Sequence, residues 1–195
     1  GIAVSKRDSG TVYVFLYFTE AGPTKGDVPA GNRIYRYELV NNKLVNPKLL
    51  LDLPAWPGAA HDGGSMLIGP DNNIYLPIGE VGYRHGQISN NDDGPPPDGR
   101  GGILRVTQQG EAVGTRVNDD ENDGNDENSD NDNSDENSID GILGDEDPLN
   151  KYYAYGIRNS FGIDFDPVTG KLWDTENGPS WGDELNLVEP GFNSG

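Results

Sequence analysis

The sequence contains no cysteine. Disulfides are excluded, and so is any metal site built on thiolates. Basic residues are scarce: 14 Lys and Arg stand against 33 Asp and Glu, for a formal net charge of −19. Nucleic-acid backbones and anionic membrane surfaces both require cationic partners, so neither is expected as a ligand. No apolar run approaches the length of a transmembrane helix. The strongest candidate, Thr11–Phe18, is β-branched and aromatic and reads as a strand. No amphipathic helix stands out. What is abundant is glycine, at 28 residues, and proline, at 14. That composition favours many turns and short strands, in a chain of 195 residues long enough for one sizeable core.

The charge is distributed unevenly. Asn118–Asp140 holds eleven acidic residues and no basic one, which leaves −8 for the remainder. This Asp/Asn/Glu/Ser tract has Ile139 as its one large apolar residue, too little to bury, and is expected to be a disordered acidic insertion, 118–140, within a domain spanning 1–195. Its start, Asp119 to Gly124, loosely resembles a calcium loop. However, Glu121 stands third and Asp130 twelfth, where that motif needs Asp or Asn and then Glu. A solvated insertion is the better reading.

Strand signals account for most of the rest. Asn32–Val40 alternates, and the turn Asn41-Asn42 leads into Lys43–Leu53, which predicts a hairpin. Ser65–Gly69 and Asn73–Gly79 pair around Pro70-Asp71-Asn72. Gly102–Thr107 and Glu111–Val113 pair around Gln108-Gln109-Gly110. Phe161–Phe165 and Lys171–Thr175 flank Asp166–Gly170. The pattern strand, Asp/Pro turn, strand occurs at Met66–Tyr75 and again at Gly162–Trp173. Units of four short strands repeated along a chain describe propeller blades. The expected fold is all-β, a partial β-propeller of about two and a half four-stranded blades, from a longer protein cut at both ends. A small β-sandwich is the alternative.

Two turns carry the chemistry. Arg158-Asn159, on a Gly-flanked turn, offers a fixed cation and an amide. Glu176-Asn177-Gly178-Pro179, after a short strand, offers carboxylates and backbone carbonyls. Together they suit an anionic cofactor held with a hard metal ion. The guanidinium could equally brace its turn against Asp164 or Glu176, and Gly178-Pro179 could be a plain turn. His61 follows a Pro- and Gly-containing loop and precedes a strand, a position suited to general-base work. On spacing alone it reads as a surface or hydrogen-bonded histidine. His85 reads as exposed.

Four stretches in order carry a resemblance: His61-Asp62-Gly63-Gly64 leading to Ile68-Gly69-Pro70-Asp71; Ile78-Gly79-Glu80; Gly102–Val106; and Tyr155–Asn159 leading to Glu176–Pro179 and Asp183-Glu184. They are similar to the glucose/sorbosone dehydrogenase family. The resemblance implies a six-bladed propeller that binds pyrroloquinoline quinone (PQQ) and calcium and oxidises C1 of aldoses to lactones. It implies that His61 is the catalytic base and that Arg158 and Asn159 contact the quinone. Gly178 and Pro179 would bind calcium through their carbonyls, and Glu184 would serve a second calcium. Glu80 stands where the family usually has Asp and could orient His61. Phe161 takes a position that can hold a polar cofactor contact. The expected partners are a sugar and an electron acceptor, and the expected location is extracellular or periplasmic. The family's remaining basic quinone contacts would lie in later blades, so this chain alone is expected to be inactive. The alternatives from other classes are a non-catalytic propeller binding carbohydrate or protein, and a calcium-binding surface protein using the acidic tract.

Overall fold

A computed structural model describes residues 1–58, 60–82, 96–114 and 141–195. The acidic tract 118–140 and His85 lie outside the described residues. Strands dominate, and the described helical structure is a single 3-10 turn, Leu149–Lys151. The strands are β1 (Ile2–Lys6), β2 (Val12–Glu20), β3 (Gly31–Val40), β4 (Lys43–Leu53), β5 (Leu67–Ile68), β6 (Ile74–Ile78), β7 (Gly102–Val106), β8 (Tyr152–Tyr155), β9 (Ser160–Phe165), β10 (Leu172–Glu176), β11 (Glu184–Val188) and β12 (Phe192–Asn193).

They form three sheets. The first is an antiparallel meander, β1-β2-β3-β4. Its β3–β4 hairpin closes on Asn41 and Asn42 at φ of 51° and 60°, the left-handed pair that a tight two-residue turn requires and that Asn tolerates. The second sheet runs β12-β8-β7-β6-β5, with β12 parallel to β8. The third is β11-β10-β9.

The middle sheet is packed on both faces, as its sequence implies. All five residues of β6, Ile-Tyr-Leu-Pro-Ile, are buried, which is the signature of a strand covered on two sides. Successive side chains point to opposite faces. Ile74, Leu76 and Ile78 therefore join Phe15, Ile34, Leu51, Leu104, Val106 and Tyr152 in one core against the first sheet. Tyr75 joins Ile103, Tyr153, Ile157, Ile163, Leu172 and Val188 in a second core against the third sheet. The second core is centred on aromatic edges: the Tyr75 ring meets Tyr153 at 5.1 Å and Phe165 at 5.0 Å, both T-shaped. A fully buried Ile or Leu contributes about 1.5–3 kcal/mol, so the alternation along β6 and β7 holds three sheets together with one strand pair.

Several sequence expectations shift. Glu111–Val113 forms one bridge, Val106 to Ala112, in place of a full strand. The β7 strand pairs instead with β6 and with β8, far along the chain. The aromatic run Tyr152–Tyr155, the segments at β1 and β11 and the short β12 are additional strands.

Candidate functional site

The candidate residues sit on turns that leave the ends of β6, β8 and β10, together with the loop before β5. A ladder of backbone hydrogen bonds joins those turns. The Gly79 amide donates to the His61 carbonyl at 3.1 Å, and the Glu80 amide donates to the Arg158 carbonyl at 3.0 Å. The Asn177 amide donates to the Asn159 carbonyl at 2.9 Å. Gly101 and Ile157 extend the ladder, with Gly101 bonding to Gly79 and Ile157 to Gly101, each at 3.0 Å. These segments are far apart in sequence, so the ladder is a product of the tertiary fold.

Glycine is required at position 79. A Cβ there would stand 2.8 Å from the His61 carbonyl oxygen and 3.0 Å from the His61 Cβ, and would also meet the Arg158 carbonyl. The chains carrying His61 and Arg158 close on this one residue. The backbone nearby is strained. His61 has φ of 66° and Val81 has φ of 49°. Left-handed backbone is uncommon for histidine and an outlier for a β-branched residue. Such conformations persist where the surroundings over-determine them, and they cluster at active and ligand sites.

His61 Nδ1 lies 2.9 Å from Glu80 Oε1. The histidine side chain is 11% exposed and the glutamate side chain 2%. A carboxylate on Nδ1 selects the tautomer with its proton there, which gives the lone pair to Nε2. His61 and Asn159 line one cavity of ≈ 200 Å³ with Asp62, Gly63, Gly64, Ser65, Ser160 and Phe161. Phe161 is 73% exposed, a large apolar ring presented at that cavity.

Arg158 lies at a second cavity, of ≈ 150 Å³, lined also by Glu176, Gly178, Pro179 and Glu184. Its Nη1 donates to the Asn177 carbonyl at 2.7 Å, while its backbone amide donates to Glu176 Oε1 at 2.5 Å. The guanidinium thus braces the Asn177–Pro179 turn through a carbonyl, and not through the carboxylate of Asp164 or Glu176. Its Nε is buried without a hydrogen-bond partner. Glu176 also accepts from Ser194 Oγ at 2.5 Å and lies directly across from Glu184 in the β10–β11 register. Two opposed carboxylates repel. The cavity is thus lined by two carboxylates and the Gly178-Pro179 turn beside a fixed cation. Among the described residues, no three His, Cys, Asp or Glu side chains converge on a metal-sized point.

Two polar assemblies were not legible in the sequence. Asp174 is fully buried on β10 and accepts from the Ser160 hydroxyl, while its Oδ2 has no partner. Burial, with Glu176 and Glu184 nearby, pushes its carboxyl up to about 6, and the Ser160 bond offsets part of that rise. The second assembly holds the His61 loop: Tyr17 donates its hydroxyl to the Asp62 carbonyl, and Asn32 Nδ2 donates to Asp62 Oδ1 at 2.9 Å. Neither has a local signal, because the partners lie 14 to 45 residues apart.

The predicted residues therefore fall into two adjoining groups, His61, Glu80 and Asn159 in one and Arg158, Gly178, Pro179 and Glu184 in the other. The segments bearing them touch through the Gly79 and Glu80 amides.

Comparison with known proteins bears on this arrangement. The family described as Glucose / Sorbosone dehydrogenase matches residues 128–195. An uncharacterized protein of Synechocystis sp. is 30% identical over 93% of this chain and 39% of its own length. Quinoprotein glucose dehydrogenase B of Acinetobacter calcoaceticus is 28% identical over 100% of this chain and 38% of its own length. The structure of the PQQ-bound aldose sugar dehydrogenase of Streptomyces coelicolor aligns over 99% of this chain and 46% of that one, with a TM-score of 0.66 and 26% identity. The chain thus spans about two fifths of the length of the curated relatives just named.

Proposed function

We propose a function from the premise that this chain belongs to a glucose/sorbosone dehydrogenase-like family: it forms part of the site of a sugar dehydrogenase that oxidises C1 of an aldose to the lactone, with PQQ as oxidant and calcium beside it. The observation that carries the reading is the His61 Nδ1–Glu80 Oε1 contact at 2.9 Å, on the residue whose amide binds the Arg158 carbonyl at 3.0 Å. A half-buried base and a fixed cation on adjoining turns are what the reaction asks of the protein.

When bound, the quinone supplies the two-electron sink that accepts hydride from C1. Everything else falls to the protein. His61 Nε2 takes the proton of the C1 hydroxyl, and Glu80 holds the ring and stabilises the imidazolium that results. Arg158, with a buried Nε lacking a partner, fits an anionic group through its planar fork, and Asn159 adds an amide. The carbonyls of Gly178 and Pro179 suit a hard cation, and the opposed pair Glu176 and Glu184 adds negative charge that such an ion offsets. The assembly would stand at the mouth of a six-bladed propeller to which the three sheets contribute. The substrate is a small sugar, the electron acceptor a separate partner, and the location extracellular or periplasmic. Among the described residues no helix is long and apolar enough to cross a membrane.

The test is made on this chain extended to the full length of the relatives it matches: the purified protein is reconstituted with PQQ and Ca²⁺, followed by dye reduction across a panel of aldoses. Reduction that depends on sugar and vanishes in His61→Ala supports the reading. Sugar binding without turnover under the same conditions would replace it with a recognition module.

A further inference from the structure

The loop that carries His61 is held by two residues of the first sheet, of which one, Asn32, reaches both of its ends. Asn32, near the start of β3, is fully buried. Its Nδ2 donates to Asp62 Oδ1 at 2.9 Å and to the Pro54 carbonyl at 3.0 Å, and its Oδ1 accepts from Thr19 Oγ1 at 2.6 Å. Both amide hydrogens and the oxygen are therefore engaged. Pro54 is where the chain leaves β4, and Asp62 directly follows His61. A single side-chain amide thus fixes both ends of the segment that delivers the histidine. Tyr17, on the neighbouring strand β2, adds its hydroxyl to the Asp62 carbonyl.

This clamp bears on the ring of His61. The residue is held at φ of 66°, a conformation that relaxes unless its flanks are fixed. Two restraints act on the peptide that follows it: the His61 carbonyl accepts from the Gly79 amide, and Asp62 is fixed by Asn32 and Tyr17. Loss of the Asp62 bonds would leave that peptide held by the Gly79 amide.

We propose that Asn32 is a positioning residue for His61, setting through Asp62 the backbone conformation that presents the imidazole to Glu80. The proposal rests on the reading of His61 as the base for its functional meaning, but its geometric content is independent of that reading.

Asn32→Asp tests it. The variant is isosteric, lacks the donors and places a second carboxylate against Asp62 Oδ1. Asn32→Asp combined with Asp62→Asn restores that hydrogen bond with donor and acceptor exchanged. The readout is the imidazole ¹⁵N spectrum, simple because the chain has two histidines, with His85→Gln giving the assignment. In the parent, His61 is expected as one tautomer protonated on Nδ1. Asn32→Asp is expected to yield a mixture of tautomers, and the double variant to recover the parent pattern. A folded Asn32→Asp protein with an unchanged His61 spectrum overturns the proposal. Should that variant not fold, Tyr17→Phe removes the companion bond and is judged by the same spectrum. In the reconstituted enzyme the same displacement is expected to cost roughly 100-fold in kcat with little change in KM. A shifted imidazole with undiminished turnover sustains the positioning role and removes His61 as base.

Discussion

The backbone amide of Glu80 donates to the carbonyl of Arg158 at 3.0 Å. This bond ties the turn after β6 to the turn after β8, and the same glutamate holds His61 with its carboxylate. One residue therefore registers a base against a cation far along the chain.

Replacing Glu80 by Gln keeps the volume and an oxygen for Nδ1 but removes the charge that steadies the protonated ring. Turnover of the reconstituted protein is expected to fall, by less than the ~10²–10⁴-fold expected for His61→Ala. Steady-state kinetics on both variants will check it. An unaltered kcat in Glu80→Gln would take the glutamate out of the base assembly.

Gly79→Ala introduces a methyl against the His61 and Arg158 carbonyls. Overpacking of this kind costs about 1–3 kcal/mol. A melting temperature lower by several degrees is expected, together with reduced turnover, since the two chains must separate. A variant that melts with the parent would mean that the junction is looser than the contacts at Gly79 imply.

At Arg158, lysine retains the charge but loses the planar fork and the bond to the Asn177 carbonyl. Loss of a charge-assisted hydrogen bond is worth about 1.5–3 kcal/mol. Affinity for PQQ, followed by titration calorimetry, is therefore expected to drop roughly tenfold to a hundredfold. Equal affinity in Arg158→Lys and the parent would assign the guanidinium a purely bracing role.

Asp174 predicts a pH dependence whose sign is set by burial. Its folded-state value of about 6 lies above the ordinary 3.8, so the folded protein holds a proton that the unfolded chain has released. Stability from this group is present below about pH 4 and declines as pH rises through about 6, by at most about 3 kcal/mol. Asp174→Asn keeps an acceptor for the Ser160 hydroxyl and has no charge to bury. Thermal melts should show the variant gaining on the parent at pH 7.5 and matching it near pH 4. A constant difference at both values would refute the assignment.

Much of the fold was legible because strand signals are local. The alternation of Asn32–Val40, the Asn41-Asn42 turn and the apolar β6 and β7 lie where the pattern indicates. The β8 strand was missed because Tyr152–Tyr155 precedes a glycine turn, and its partner β7 lies about fifty residues earlier. The β12 strand is two residues long and pairs in parallel with β8, a contact without a turn to announce it. The Glu111–Val113 hairpin arm was over-read: its turn chemistry is sound, but only Ala112 reaches Val106.

At the site, turn chemistry alone singled out Arg158-Asn159 and Glu176–Pro179 as an anion-and-cation pair of turns, whereas the roles expected of His61, Glu80, Arg158, Asn159, Gly178, Pro179 and Glu184 came from the resemblance to the glucose/sorbosone dehydrogenase family. Neither pointed to Asn32, Tyr17, Ser160 or Asp174. Each of these sits on a strand, where a lone polar residue looks like any outward-facing position until its neighbours are known.

The sequence by itself determined the all-β class, the positions of most turns and the chemical types available at them, since periodicity and turn chemistry act over a few residues. The tertiary structure decided which turns meet, that Gly79 is the point of closest approach, and that Asn32 and Asp174 face inward. Those outcomes depend on which sheet faces are covered, and burial is a property of the assembled layers that no short stretch of chain contains.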